Sequence, residues 1–172
     1  MKIAILGFSG CGKSTLAQKL GKKYNLPVLH LDRIQFAANW VERELEDKLR
    51  DTADFLDSHD SWVMDGNYSN LLQERRLEEA DRIIILELNR FVCLWRVLKR
   101  WLTYRGSSRP DMAEDCEEKV DWEFLRWVLH DGRTKKRKAH WNDIACRYPQ
   151  KCTRIRTRKQ QKQFLAELEV QE

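Results

Sequence analysis

Three Pro and seven Gly in 172 residues are too few for a collagen-like or Gly/Pro-rich disordered chain. Apolar runs such as Ile3 to Leu6 and Ile83 to Leu86 fall far short of the roughly 20 residues that a helix needs to cross a bilayer, so the sequence predicts no membrane span. Met1-Lys2 leads straight into a short apolar run and a glycine-rich stretch. Neither the apolar core nor the small-residue cleavage site of a secretory signal is read there, and a cytoplasmic location is the expectation. Cys11, Cys93, Cys116, Cys146 and Cys152 form no CxxC pair and stand at no zinc-like spacing from His. They read as free thiols in a reducing compartment.

What is present is enough for a packed core: 42% hydrophobic residues, seven Trp among them, with 34% charged residues. The length predicts one domain over residues 1–172. Charge is unevenly placed. Residues 1–89 hold 12 Lys/Arg against 15 Asp/Glu, whereas residues 90–172 hold 20 against 12, so the second half either meets an anion or is a solvated surface.

Period and punctuation predict alternating elements. Lys2 to Leu6, Val28 to Leu31, Ser61 to Met64, Arg82 to Leu88 and Cys152 to Thr157 read as five short strands. Between them, helical spacing is read over about 12–24, 40–56, 90–104, 118–129, 135–148 and 160–168, with a polar loop at 106–117. Strands alternating with helices predict an α/β fold, a five-stranded parallel sheet covered on both faces.

Between the first strand and the first helix lies Gly7-Phe8-Ser9-Gly10-Cys11-Gly12-Lys13-Ser14-Thr15, which satisfies the phosphate-loop pattern GxxxxGK[ST] in the context it requires. Glycines at 7, 10 and 12 let successive N–H groups point at phosphate oxygens, and the helix behind adds its positive end. Lys13 is the expected cation for the β- and γ-phosphates of ATP, and the Ser14 hydroxyl a Mg²⁺ ligand. Gly7, Ser9, Gly10, Cys11, Gly12, Lys13, Ser14 and Thr15 are thus the candidate nucleotide-binding residues.

Beyond this loop the chain carries Leu31-Asp32, the segment Trp62 to Tyr68 (WVMDGNY), Cys93 to Arg100, Tyr104-Arg105-Gly106 and Arg109-Pro110-Asp111-Met112. With these it resembles P-loop nucleoside monophosphate kinases, in particular the adenylate-kinase-related group called DNA topology modulation proteins. The resemblance covers about residues 1–130. It implies a P-loop kinase fold with an acceptor-side helical segment at about 33–60 and a short lid at about 105–118.

By that resemblance Asp65 stands near Mg²⁺. The acceptor-phosphate Arg of adenylate kinases is missing, because Asn67-Tyr68-Ser69 stands where they carry Phe-Pro-Arg. The other reading of Asp65-Gly66 is a cap on the next helix. Asp32, expected at the matching end of the second strand, resembles the Asp with which shikimate- and gluconate-type kinases meet a substrate hydroxyl; a helix cap or salt bridge is its other reading. Arg96 and Arg100 lie one helical turn apart, similar to the pair at the entrance to an adenylate kinase lid. Arg105 and Arg109 flank the lid hinge, and Arg126 is a weaker lid candidate. The adenine is expected near Arg96 and residues 157–160.

His30 reads as a satisfied core histidine, Trp122, Trp127 and Trp141 as core or lid packing, and Arg133 to Lys138 as a solvated basic run away from the phosphate loop. The expected activity is phosphoryl transfer from Mg-ATP to a small nucleotide, nucleoside or hydroxylated metabolite, by a monomer or homodimer. The alternative is an ATP-dependent protein acting on DNA, for which the sequence offers no recognised nucleic-acid-binding motif.

Overall fold

The computed structural model describes residues 1–104 and 120–170. Five parallel strands, β1 (Lys2–Gly7), β2 (Val28–His30), β3 (Trp62–Asp65), β4 (Arg82–Leu86) and β5 (Cys152–Ile155), form one sheet in the order β2-β3-β1-β4-β5. Side chains alternate across it. Ile3, Ile5, Ile84 and Leu86 join one core cluster, and Ala4, Leu6, Ile83 and Ile85 join the other. That is why these strands read as unbroken apolar runs: both faces are covered.

On the first face lie α1 (Lys13–Tyr24), α5 (Arg90–Tyr104), α6 (Trp122–Leu129) and α8 (Arg158–Val170), through Leu16, Leu20, Cys93, Val97, Val128 and Phe164. On the second lie α2 (Leu31–Gln35), α3 (Leu45–Ser58), α4 (Gln73–Glu79) and α7 (Lys135–Arg147), through Leu31, Leu56, Leu77, Trp141 and Ile144.

Several boundaries differ from expectation. Leu31 opens α2 instead of closing β2. Residues 40–44 are not helical: a 3₁₀ turn over Ala38–Trp40 and an antiparallel bridge between Phe36 and Glu42 bend the chain first. Val41 and Leu45, placed on the predicted apolar stripe, are exposed. α4 was not expected, since seven residues give too few turns for a periodic signal. α6 begins at Trp122 under an Asp121 cap whose carboxylate accepts from Phe124 N–H at 2.7 Å.

The chain leaves β1 toward one edge of the sheet and β3 toward the other, so the carboxyl ends of these neighbours form the crevice where open α/β sheets bind ligands. Gly7 and Asp65 end those two strands. No helix among the described residues is long and apolar enough to cross a membrane.

Candidate functional site

The loop from Gly7 to Gly12 turns sharply and packs close. Gly7 has φ 145°, and a Cβ there would stand 2.3 Å from the Leu86 carbonyl oxygen. At Gly10, φ is 75° and the same atom would meet the Cys93 carbonyl at 2.7 Å. Only glycine fits either place. α1 then starts with no side-chain cap, leaving its first-turn N–H groups without an intrahelical partner at a positive helix end, an arrangement suited to an anion. Lys13 Nζ donates to the Phe8 carbonyl at 3.3 Å.

Ser14 and Asp65 meet. Ser14 Oγ donates to Asp65 Oδ2 at 3.0 Å, and Asp65 Oδ1 is paired with His30 Nδ1. Asp65 is 4% exposed and His30 7%. His30 is therefore a buried, satisfied histidine as expected, but its partner is the site carboxylate. It is also His30, not Asp32, that stands in register with Asp65 at the end of β2. Asp65 caps no helix, because α4 starts only at Gln73. Two oxygens 3.0 Å apart suit neighbouring positions on one octahedral Mg²⁺, whose bonds of about 2.1 Å put such ligands about 3 Å apart. The residues present thus fit the ion.

Asp32 sits in the first turn of α2, and its Oδ1 accepts from Tyr68 Oη at 2.7 Å. Burial and the Asp32 carboxylate push the Tyr68 phenol upward, so it stays a donor. Behind it, buried Arg76 donates to the Leu71 and Tyr68 carbonyls at 2.8 and 2.7 Å. With no carboxylate partner among the described residues, its pKa is lowered by burial to about 10, and it stays charged at neutral pH. Asn67 ties the two strand ends together: its Oδ1 accepts from Gly7 N–H at 2.9 Å and its Nδ2 donates to the Gly7 carbonyl at 2.7 Å.

Ser14, Asp32, Asn67 and Tyr68 border a cavity of about 1180 Å³, lined by Ser9, Gly10, Gly12, Lys13, Ser14, Thr15, Asp32, Arg96 and Arg100 among the expected residues. Pockets for a single ligand typically measure about 300–1,000 Å³, and this one is somewhat larger. Gly7, Cys11 and Asp65 do not line it, and Asp65 is covered by its bonds to Ser14 and His30. Gly7 is held by Asn67, and the fully buried Cys11 offers its carbonyl to Arg96 Nη1 at 2.8 Å and Gln161 Nε2 at 3.2 Å. Arg96 also donates to Gln161 Oε1 at 2.8 Å.

Residues 157–160 do not line the cavity. They form a reciprocal cap on α8, in which Thr157 Oγ1 accepts from Gln160 N–H and Gln160 Oε1 from Thr157 N–H, both at 3.1 Å; Gln161 and Leu165 line it instead. Arg105, Arg109 and the expected lid at 105–118 lie outside the described residues. Arg126 pairs with Asp131 at 3.0 Å and does not line the cavity.

The basic run is not a uniform solvated face. Arg133 lies 3.9 Å from the Phe8 ring centroid and donates to the Val128 and Leu88 carbonyls at 2.8 and 2.9 Å. Arg137 lines the cavity, stacked 4.7 Å over Trp127, whose Nε1 donates to Ser9 Oγ at 3.1 Å. Trp141 is core, whereas Trp122 is 78% exposed and is not. Asn67, Arg137, Trp127, Phe36 and Trp40 were missed as site residues. The WVMDGNY segment already marked Asn67, whereas its neighbours in the run concealed Arg137.

No family model matches the chain. It is 26% identical over 151 residues to an adenylate kinase from Listeria monocytogenes serotype 4a, covering 68% of this chain and 70% of that one. An adenylate kinase from Listeria innocua is 26% identical over 129 residues, covering 59% and 60%. The chain thus spans about 60–70% of the length of these relatives. Among solved structures, a putative kinase from Chloroflexus aurantiacus aligns with TM-score 0.47 at 18% identity over 75% of this chain and 77% of that one. A gluconokinase from Sinorhizobium meliloti aligns with TM-score 0.46 at 15% identity over 90% and 81%.

Proposed function

We propose that the chain is an ATP-dependent phosphotransferase that moves the γ-phosphoryl group of Mg-ATP to a small nucleotide, nucleoside or hydroxylated metabolite. The observation that carries this reading is the meeting of Ser14 Oγ and Asp65 Oδ2 at 3.0 Å beside a glycine loop that opens an uncapped helix. Similarity to adenylate kinases supports nucleotide use. Loop N–H groups and Lys13 would hold the phosphates, and Ser14 and Asp65 would hold Mg²⁺, which would supply positive charge to offset that of the phosphates. Arg96, bonded to the Cys11 carbonyl and Gln161, keeps the loop in shape. Arg100 and Arg137 supply positive charge toward the transferring group. Asp32 receives the acceptor's hydroxyl, with Tyr68 holding the carboxylate in place.

Residues 1–172 then act as one kinase unit, with 33–60 on the acceptor side, Arg105 and Arg109 serving the lid, and a cytoplasmic monomer or homodimer as the working form. The likeness to the topology modulation group rests on the sequence motifs alone. Action on DNA would draw on the basic second half of the chain, in which Arg133 and Arg137 are engaged inside the protein.

Replacing Lys13 by Ala removes the main phosphate cation. Loss of one such group costs about 10²–10³ in turnover, so ATP consumption with acceptor should fall at least that far. Undiminished turnover in this variant would overturn the reading.

A further inference from the structure

We infer that the acceptor is an unphosphorylated, uncharged molecule carrying a hydroxyl beside a planar ring, a nucleoside being the simplest case; this rests on the kinase reading above. The acceptor end of the cavity is built around a tight reversal. Arg43 N–H donates to the Gln35 carbonyl at 3.1 Å and Ala37 N–H to the Val41 carbonyl at 2.8 Å, while Phe36 pairs antiparallel with Glu42. Asn39 and Trp40, with φ 60° and 63°, complete the turn in a left-handed conformation that non-glycine residues seldom adopt. A bulky residue there is a structural outlier of the kind that collects at ligand sites.

The reversal is anchored. Glu42 Oε1 accepts from Gln35 Nε2 and from the buried Lys48 Nζ, each at 2.7 Å. Its outcome is to set Trp40 edge-on to Phe36, ring centroids 5.5 Å apart at 66°, with both rings lining the cavity that Asp32 and Tyr68 also line. Such rings offer faces and edges to a flat partner.

Charge among the described residues favours this acceptor class over a phosphorylated one. The cations that line the cavity, Lys13, Lys19, Arg96, Lys99, Arg100 and Arg137, sit on α1, α5 and α7. Among the described residues, α2, the reversal and the β3–α4 loop contribute Asp32 and no cation. Arg76, on α4, is spent on backbone carbonyls. A phosphate dianion bound at this end would face a carboxylate with no cation among the described residues there to offset it, whereas a hydroxyl donates to the same carboxylate. In the transfer, the acceptor oxygen bonds to the γ-phosphorus as the bond from that phosphorus to the β,γ-bridging oxygen breaks. The electron pair leaves with the nucleoside diphosphate, and the hydroxyl proton passes to Asp32 and then to solvent.

The test offers γ-labelled ATP with three acceptor sets: nucleosides, their 5′-monophosphates, and ring-free polyols such as glycerol. Wild type, Trp40→Ala and Asp32→Asn are compared, and ATP affinity is measured separately by equilibrium dialysis. Label should appear on nucleosides. Trp40→Ala should raise the nucleoside KM at least tenfold with kcat and ATP affinity retained, and Asp32→Asn should lower kcat at least 100-fold with ATP affinity retained. An unchanged acceptor KM in Trp40→Ala overturns the inference, as does the absence of label on every nucleoside, whether or not the other sets are labelled. Failure of the wild type to bind Mg-ATP at all overturns the kinase reading, and this inference with it.

Discussion

Replacing Asn67 by Ala removes both hydrogen bonds that hold Gly7, at 2.9 and 2.7 Å. Gly7 is buried, so its N–H and carbonyl are left without their partner. An orphaned buried polar group costs about 1–3 kcal/mol. Asn67 is itself half-buried, and water entering its place recovers part of this, so about 2–3 kcal/mol for the pair is the expected loss. For a chain of this size each kcal/mol lowers the thermal midpoint by about 2–4 °C, and Asn67→Ala should melt about 5–10 °C lower.

The loss falls where β1 becomes the glycine loop, so loop conformations unable to bind compete with the native one. If the loss leaves the competent loop about 1.4 kcal/mol above its competitors, only about a tenth of the molecules keep it and the apparent Kd for Mg-ATP rises about tenfold. Asn67→Asp is the sharper probe: it can still accept from Gly7 N–H but sets a carboxylate against the Gly7 carbonyl, and should do at least as much harm as Ala. Calorimetric melting with and without a non-hydrolysable ATP analogue measures both effects. A midpoint within about 1 °C of wild type together with unchanged nucleotide affinity would refute the assignment of Asn67 as the tether of the loop.

The basic run provides a second comparison: Arg137→Ser should lower turnover about 100-fold, since it removes a cavity cation. Changing Lys135, Lys136 and Lys138 to Ser should leave turnover intact and weaken only the low-salt DNA binding expected of exposed lysines, measured by salt-titrated binding beside ATPase assays. Equal effects from the two variants would contradict the placement of Arg137. The buried Cys11 thiol is pushed by burial from 9.0 up to about 11, despite the nearby Lys13. Its folded pKa is raised, so its contribution, on the order of 2–3 kcal/mol, is fully present below about pH 9 and lost as the pH rises toward 11. Urea midpoints should drop over that window, and drop less in Cys11→Ala; parallel pH profiles in the two proteins would count against it.

The sheet and its phosphate loop were legible because each rests on local signals. Short apolar runs report strands buried on both faces, and glycines with Lys13 and Ser14 at fixed spacing report a loop whose backbone must approach closely. Helix α5, with many periodic positions, begins at the residue where it was expected. The parts that depend on distant segments were not legible. No periodicity predicts that Trp40 turns in a left-handed conformation, since that follows from Glu42 reaching both Gln35 and the buried Lys48. Nor does any run of charge reveal that Arg137 stacks on Trp127 while Lys136 stays outside, because the direction of each side chain is set by how α7 packs through Trp141 and Ile144. Asp65 could be named from its motif, but its bonds to Ser14 and His30 exist only once three strands align in parallel. Sequence determined which chemical groups the chain carries and the elements that bear them; tertiary packing decided which of those groups meet, because contacts between residues tens of positions apart depend on the strand order and on the helices that cover it.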